Sequence, residues 1–159
     1  MTEVAVHQAD STDIGELVEL MEAFYAESSF HLDREWAADS FERLLSAPSL
    51  GCVWLARVGG RAVGHAVLSV RYAMEHAALS GYVDDLYVDP EFRRQHVASH
   101  LLRVLVEECH RRGCASLYVE VGESNTAALA TYRRFGLAPI TDGRVLLGGA
   151  LHAPPTWPQ

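Results

Sequence analysis

Apolar and polar residues alternate along the chain with two periods, one typical of strands and one typical of helices. Residues 3–9 predict a first strand, and Asp10 or Ser11 can cap a helix that follows it. The apolar face of this helix is formed by Ile14, Leu17, Val18, Met21, Phe24 and Tyr25. A second helix is predicted around residues 36–45 and stops near Pro48.

The middle of the chain is predicted to form β-strands. Residues 51–58 and 61–70 flank Gly59-Gly60, a pair that favours the positive φ angles of a tight hairpin turn. A loop is predicted over residues 74–80. The β-forming residues 82–88 then predict a central strand, which must end at Asp89 because Pro90 disfavours a helical residue before it.

The last third returns to helical spacing. One helix face is formed by Val97, Ala98, Leu101, Leu102, Leu105 and Cys109. Alternation over residues 115–121 predicts a fifth strand, after which Ser124 or Asn125 can cap a short helix that ends at Gly136. Residues 137–141 and 144–151 flank Asp142-Gly143, and this pattern predicts a final hairpin.

The resulting element order, βααβββαβαββ, predicts an α/β fold of the mixed α+β kind. Because strands and helices do not alternate strictly, we expect a mostly antiparallel sheet of about seven strands with helices on both faces. The length of 159 residues and the 49% hydrophobic content fit one domain over residues 1–151. Residues 152–159 form a Pro-rich tail.

Composition narrows the function classes. The net charge of −8 argues against a nucleic-acid surface and suits a cationic partner. All 13 basic residues are arginine, which excludes a P-loop lysine and a Schiff-base lysine. The N-terminus lacks the pattern of a signal peptide and no apolar run reaches membrane-spanning length, so we expect a cytoplasmic protein without membrane association. The three cysteines suit reduced thiols.

The most informative stretch lies between the central strand and the helix that follows it. Arg93-Arg94-Gln95-His96 sits where that helix begins, and the free backbone N–H groups of a helix N-terminus bind anions, phosphates above all. His96 and His100 have the i, i+4 spacing of a metal pair, but no third ligand accompanies them and no metal is expected.

This stretch resembles the acyl-coenzyme A signature of the GNAT superfamily of N-acetyltransferases, Arg/Gln-x-x-Gly-x-Gly/Ala. Arg93 and Ala98 match it, and His96 stands at the central glycine. A second run, Asn125-x-x-Ala128-x-x-x-Tyr132-x-x-x-Gly136, resembles another helix of the same family. The resemblance extends from Val4 to about Leu151. It implies parallel fourth and fifth strands that splay apart to admit acetyl-CoA.

The resemblance also implies a set of cofactor-binding residues. Backbone groups of Leu86 and Val88 are expected to pair with the pantetheine arm. The full set comprises Leu86, Tyr87, Val88, Arg93, Arg94, Gln95, His96, Val97, Ala98, Ser99, Asn125, Ala128 and Tyr132.

The implied reaction is direct transfer of an acetyl group to a primary amine of a small molecule or a peptide. Tyr132 is the candidate acid for the thiolate leaving group, because tyrosine is protonated at neutral pH. Asp84 is the candidate base, with Glu120 in reserve. Asp84 and Asp85 point to opposite faces of a regular strand, so only one faces the cleft unless a bulge intervenes.

Two alternatives stay open. A GNAT-like binding or sensor module with weak or no catalysis follows from His96, since its Cβ narrows or shifts the phosphate cradle. A homodimer is also compatible with the sequence. The remaining histidines, including His65, are expected at the surface or as satisfied core groups.

Overall fold

The structure is a computed structural model and describes residues 3–140, 143 and 145–148. The strands are β1 (Val4–Gln8), β2 (Gly51–Val58), β3 (Arg61–Ala73), β4 (Ala78–Val88) and β5 (Cys114–Val119). The helices are α1 (Ile14–Glu27), α2 (Arg34–Ser46), α3 (Val97–Arg111) and α4 (Thr126–Arg134).

Local sequence signals account for most of these boundaries. Asp10 caps a short 3₁₀ turn that leads into α1, with its carboxylate accepting the Thr12 N–H at 2.8 Å. Gly59 and Gly60 have φ angles of 57° and 84°, as the β2–β3 hairpin requires. Gly113, with a φ of 73°, follows the end of α3. The predicted hairpin and the predicted helices are confirmed.

The sheet has the order β1-β2-β3-β4-β5 among the described residues. The first four strands pair antiparallel and β5 pairs parallel to β4. The prediction of about seven strands is wrong for these residues: 137–140 and 145–148 form no strand. The remainder of the predicted last hairpin, and the predicted tail, lie outside the described residues.

A second correction concerns the connection before β4. The loop predicted over residues 74–80 is shorter, because Met74–His76 forms a 3₁₀ turn and β4 already begins at Ala78. The sequence predicts the central strand only from Tyr82 onward, because the β-forming residues cluster there. Antiparallel pairing with the long strand β3, down to Ala73 opposite Ala78, recruits the preceding residues.

Helices cover both faces of the sheet, as predicted. On one face α1 and α2 pack on Val53, Leu55, Val67 and Tyr87. On the other face α3 packs through Val97, Leu101 and Leu105 on Ala66, Leu68 and Val83. Burying such side chains contributes about 1.5–3 kcal/mol each, so these two layers hold the sheet between them. No helix among the described residues is long and apolar enough to cross a membrane.

Candidate functional site

A cavity of about 600 Å³ opens where β4, β5, α3 and α4 converge. Its wall contains every sequence-predicted cofactor or catalytic residue except Gln95. The predicted residues on it are Asp84, Leu86, Tyr87, Val88, Arg93, Arg94, His96, Val97, Ala98, Ser99, Asn125, Ala128 and Tyr132. Gln95 turns away, and its amide donates to the Glu91 carbonyl at 3.1 Å.

The cavity exists because β4 and β5 stop pairing before β4 ends. Their last pair is Val83 with Val119, whereas β4 continues to Val88. Asp89 donates its N–H to the Val63 carbonyl at 2.9 Å, so by the alternation of an antiparallel ladder Tyr87 and Asp85 also bond towards β3. The N–H and C=O groups of Leu86 and Val88 therefore face the slot.

The N-terminus of α3 forms the second side of the cavity. The first intrahelical bond runs from the His100 N–H to the His96 carbonyl, at 3.0 Å, so the N–H groups of residues 97–99 precede the helical ladder. The first turn of α3 carries no acidic residue. This end of the helix is suited to an anion.

His96 takes the backbone conformation that glycine favours. Its φ is 64° and its ψ is 7°, in the left-handed region, and Arg94 two residues earlier has a φ of 61°. Histidine is one of the residues that tolerates this region, at a strain of about 1–2 kcal/mol. The turn before α3 thus keeps a glycine-type backbone although a side chain is present.

The two arginines of this turn differ in their partners. Arg93 pairs with Glu27 of α1, donates its Nε–H to the Val88 carbonyl at 2.9 Å and lies 5.8 Å from the Tyr87 ring centre. Arg94 lines the cavity and makes no hydrogen bond or ion pair with the described part of the chain. Arg94 is therefore the freer cation for an anionic ligand.

Helix α4 presents the third side. Asn125 is its N-cap, and the side-chain oxygen accepts the Ala128 N–H at 3.1 Å. Tyr132 lies two turns further on, and only 8% of its surface is exposed. Burial raises the pKa of the Tyr132 hydroxyl above its ordinary value of 10.0. This hydroxyl is protonated at neutral pH and can donate into the cavity.

A β-bulge at Asp84 changes the predicted arrangement of the two aspartates. Val67 pairs with Asp85 and Leu68 pairs with Val83, which leaves Asp84 as the extra residue of β4. The Ser69 hydroxyl donates a hydrogen bond to the Asp84 carboxylate. The Asp85 carboxylate lies 3.9 Å from Nε2 of His65. Residues 65, 67 and 69 lie on the same face of β3, the face that packs against α1 and α2. Both carboxylates therefore lie on that side of the sheet and not on opposite faces.

The bulge also shapes the acid–base properties of Asp84. Its side chain is exposed and lines the cavity. Partial desolvation by the surrounding protein, followed by the charge of Asp85, raises the pKa of Asp84, while the hydrogen bond with Ser69 acts in the opposite direction. A raised pKa brings a carboxylate closer to the range of a general base.

Glu120, the reserve candidate, also lines the cavity but is engaged with Tyr82. Burial, together with the hydrogen bond to Glu120 and its charge, raises the pKa of Tyr82 to about 12. Tyr82 therefore stays protonated as a donor to Glu120.

Some residues around the site were missed or misplaced by sequence reasoning. His65 is 0% exposed, and neither of its ring nitrogens has a partner among the described residues, so the expected satisfied core group is wrong. Its alternation with Val63 and Val67 in β3 signals the burial but not the missing partners. Phe24 and Glu27 of α1 line the cavity through contacts distant in sequence.

Comparison with known proteins gives a consistent picture. The profile described as the acetyltransferase (GNAT) family matches residues 16–137, more than half of the chain. The ribosomal-protein bS18 alanine N-acetyltransferase of Escherichia coli K12 is 39% identical over 69 residues, which cover 38% of this chain and 47% of that protein. The thialysine N-ε-acetyltransferase of Bos taurus is 31% identical over 61 residues, or 38% and 36% of the two chains. The chain thus aligns with less than half the length of either relative.

Solved structures extend the likeness to nearly the whole chain. An integron cassette protein from the mobile metagenome of Cole Harbour Salt Marsh superposes with a TM-score of 0.83 at 36% identity, covering 94% of this chain and 91% of its own. An aminoglycoside N-acetyltransferase in complex with CoA has a TM-score of 0.81 at 18% identity, covering 95% and 97%, and shows the shared fold. The chain therefore belongs to the GNAT family of acetyltransferases.

Proposed function

We propose that this protein transfers an acetyl group from acetyl-CoA to a primary amine by direct attack, without a covalent enzyme intermediate. The observation that carries the proposal is the convergence of three features in one cavity: the free N–H groups at the start of α3, the open edge of β4 and the Tyr132 hydroxyl. The two relatives named above are, by their names, N-acetyltransferases of an alanine and of thialysine.

The cavity fits acetyl-CoA by its chemistry. The N–H groups of residues 97–99 and the guanidinium of Arg94 suit a pyrophosphate. The backbone N–H and C=O of Leu86 and the N–H of Val88 face the slot and suit the amide-containing pantetheine arm, as an added strand would pair with them. The Val88 carbonyl already accepts the Arg93 Nε–H. When bound, acetyl-CoA supplies an activated acyl group on a thiolate leaving group.

Each protein group then has a defined task. An alkyl ammonium has a pKa of about 10.4, so it must lose a proton before its nitrogen can attack. Asp84 takes that proton, directly or through one water. As the new C–N bond forms and the C–S bond breaks, Tyr132 gives a proton to the sulfur, whose pKa in water is about 8.5. The nitrogen loses its second proton as the amide forms; that proton restores the Tyr132 hydroxyl, and Asp84 releases the first to solvent. An N–H of β4 beyond Val83 stabilises the carbonyl oxygen.

The alternative is a module that holds acyl-CoA poorly and does not turn it over. His96 is its main support, but the left-handed backbone at this position works against it, because the neighbouring N–H groups keep the arrangement that a glycine would give. Binding and turnover separate the two interpretations.

Calorimetric titration with acetyl-CoA, followed by an assay for thiol release with a panel of amines, tests the proposal. We expect micromolar affinity and amine-dependent release. Binding without release by any amine would favour the module, and no binding would reject the cavity as an acyl-CoA site.

A further inference from the structure

The two carboxylates at the β4 bulge have no arginine partner among the described residues. Elsewhere in the protein, buried or half-buried carboxylates are paired with arginine, as Glu108 is with Arg112 and Asp13 is with Arg57. Asp84, which is exposed, has only the Ser69 side chain as a partner, and half-buried Asp85 has only the His65 ring nearby. Two adjacent anions on one side of a sheet repel each other, so a cation is the missing element.

His65 is a second and independent sign of a ligand at this place. Its side chain is fully buried, yet both ring nitrogens lack a hydrogen-bond partner among the described residues. The ring packs against Phe41 and Tyr87, with centroids 6.2 Å away in both cases. Its Nε2 is 3.9 Å from the Asp85 carboxylate, too far for a hydrogen bond and close enough for a small shift to make one.

An apolar side chain would fill this position in β3 without leaving buried polar atoms unsatisfied. A histidine at this position is explained if its Nε2 orients the Asp85 carboxylate while a cationic ligand binds the other carboxylate oxygen. The Asp85 side chain is 18% exposed, and its chain neighbours Asp84 and Leu86 line the cavity.

Aromatic residues complete the surroundings. Burial, followed by the charges of Asp85 and Asp84, raises the pKa of Tyr25. Both carboxylates therefore lie close enough to Tyr25 of α1 to affect its hydroxyl. Rings beside carboxylates suit alkyl ammonium groups, which combine a charge with an apolar stem.

The transfer reaction uses only one of these carboxylates. On the basis of the function proposed above, we propose that Asp85, positioned by His65, binds a second cationic group of the acceptor, so that the preferred acceptor is a small amine with two or more ammonium groups. A peptide N-terminus without basic side chains offers one cation and would leave Asp85 uncompensated.

The test compares 1,4-diaminobutane with butylamine, which share a chain length and differ in the second amine, and adds an alanine peptide with neutral side chains. For the purified protein we expect kcat/KM for the diamine to exceed that for butylamine by roughly 10- to 100-fold, after allowance for its two equivalent amines. The peptide is expected to behave like butylamine.

Three variants locate the effect. Asp85→Asn removes the charge at constant shape and should bring the diamine-to-butylamine ratio close to one. His65→Phe keeps the packing on Phe41 and Tyr87, and should lower the same ratio mainly through KM for the diamine. Glu107→Gln removes one charge from the exposed side of α3 and should leave the ratio unchanged. If His65→Phe does not fold, Asp85→Asn still decides.

Equal rates for butylamine, peptide and diamine, or a ratio that Asp85→Asn does not alter, would overturn this inference while leaving acetyl transfer intact. Acetylation of none of the amines would reject the proposed function, and this inference with it.

Discussion

In the proposed reaction Tyr132 donates a proton and Asp84 accepts one, and their surroundings suit these roles. Burial raises the pKa of Tyr132, so the hydroxyl carries its proton at neutral pH, as the proposed role requires. Partial desolvation and the charge of Asp85 raise the pKa of Asp84, so the carboxylate holds a proton more readily than a free aspartate does. Among the described residues, no three His, Cys, Asp or Glu side chains are grouped so that they could hold a metal ion.

Replacing Tyr132 with phenylalanine should lower kcat by about 10²–10⁴, because the acid for the leaving thiolate is lost. The Kd for acetyl-CoA should change less than twofold, since the ring and its packing remain. Steady-state kinetics and calorimetry measure the two quantities. Tyr72→Phe, at an exposed position near the end of β3, is the control and should change neither. An unchanged kcat in the Tyr132 variant would leave water or the substrate as the acid.

His96→Gly should stabilise the protein by up to about 1 kcal/mol, because glycine relieves the left-handed strain at this position. It should also tighten acetyl-CoA binding, since a residue without Cβ lets the pyrophosphate approach the backbone more closely. Urea unfolding and calorimetry give the two values.

Ala77→Gly is the matched control for this prediction. Ala77 has a φ of 49° and does not line the cavity, so its variant should gain stability without a change in affinity. Weaker binding in His96→Gly would instead assign the imidazole to a phosphate contact.

At the scale of elements, α3 is held at both ends by contacts that position its N-terminus. Glu108, which is 5% exposed, accepts hydrogen bonds from Arg111 and Arg112. Arg112 also donates to the Pro48 carbonyl at 2.6 Å and so ties α3 to the connection between α2 and β2. At the other end, Arg93 joins the turn before α3 to Glu27 of α1.

Glu108→Gln should destabilise the fold by about 3 kcal/mol, because removal of one partner leaves the Arg112 guanidinium poorly compensated. Urea unfolding at pH 7 measures this loss, and Glu107→Gln one residue earlier, on the exposed side of α3, should cost less than about 0.5 kcal/mol. Equal losses of stability in the two variants would contradict a stabilising role for the Glu108–Arg112 pair.

The same residue predicts a pH dependence. The hydrogen bond from Arg111, opposed by burial and aided by Arg112, lowers the pKa of Glu108 in the folded protein. Its stabilisation is therefore complete above the unfolded value, about 4.3, and is lost as the pH falls through the folded pKa. The deficit of Glu108→Gln should shrink below about pH 4, whereas a constant deficit would contradict the charge-based explanation.

Element order and most boundaries were predictable because they depend on local signals. The bounds of β2 follow from its nearly continuous apolar run, which ends at the Gly59-Gly60 turn. Helix α2 begins after Asp33, which caps the Glu35 and Trp36 N–H groups. The bulge at Asp84 was not predictable, because it depends on the register between β3 and β4. The missing partners of His65 are likewise a property of packing, which spacing along one strand does not report.

At the scale of the whole molecule, the sheet separates two environments that meet at β4. Helix α3, whose N-terminus is suited to phosphate, lies on one face, and the carboxylates beneath α1 and α2 lie on the other. The bulge and the parting of β4 from β5 provide an opening between the two. This arrangement suits a reaction in which two substrates approach from opposite sides, and holding them together can contribute about 7–11 kcal/mol to the barrier reduction.

The measurement that tests this account most directly is the joint yield of free thiol and acetylated amine from acetyl-CoA and 1,4-diaminobutane. The account predicts one thiol per acetylated amine, with thiol release that depends on the amine and falls by at least about a hundredfold in Tyr132→Phe. Thiol release without acetylated amine, or no release although acetyl-CoA binds, would contradict it.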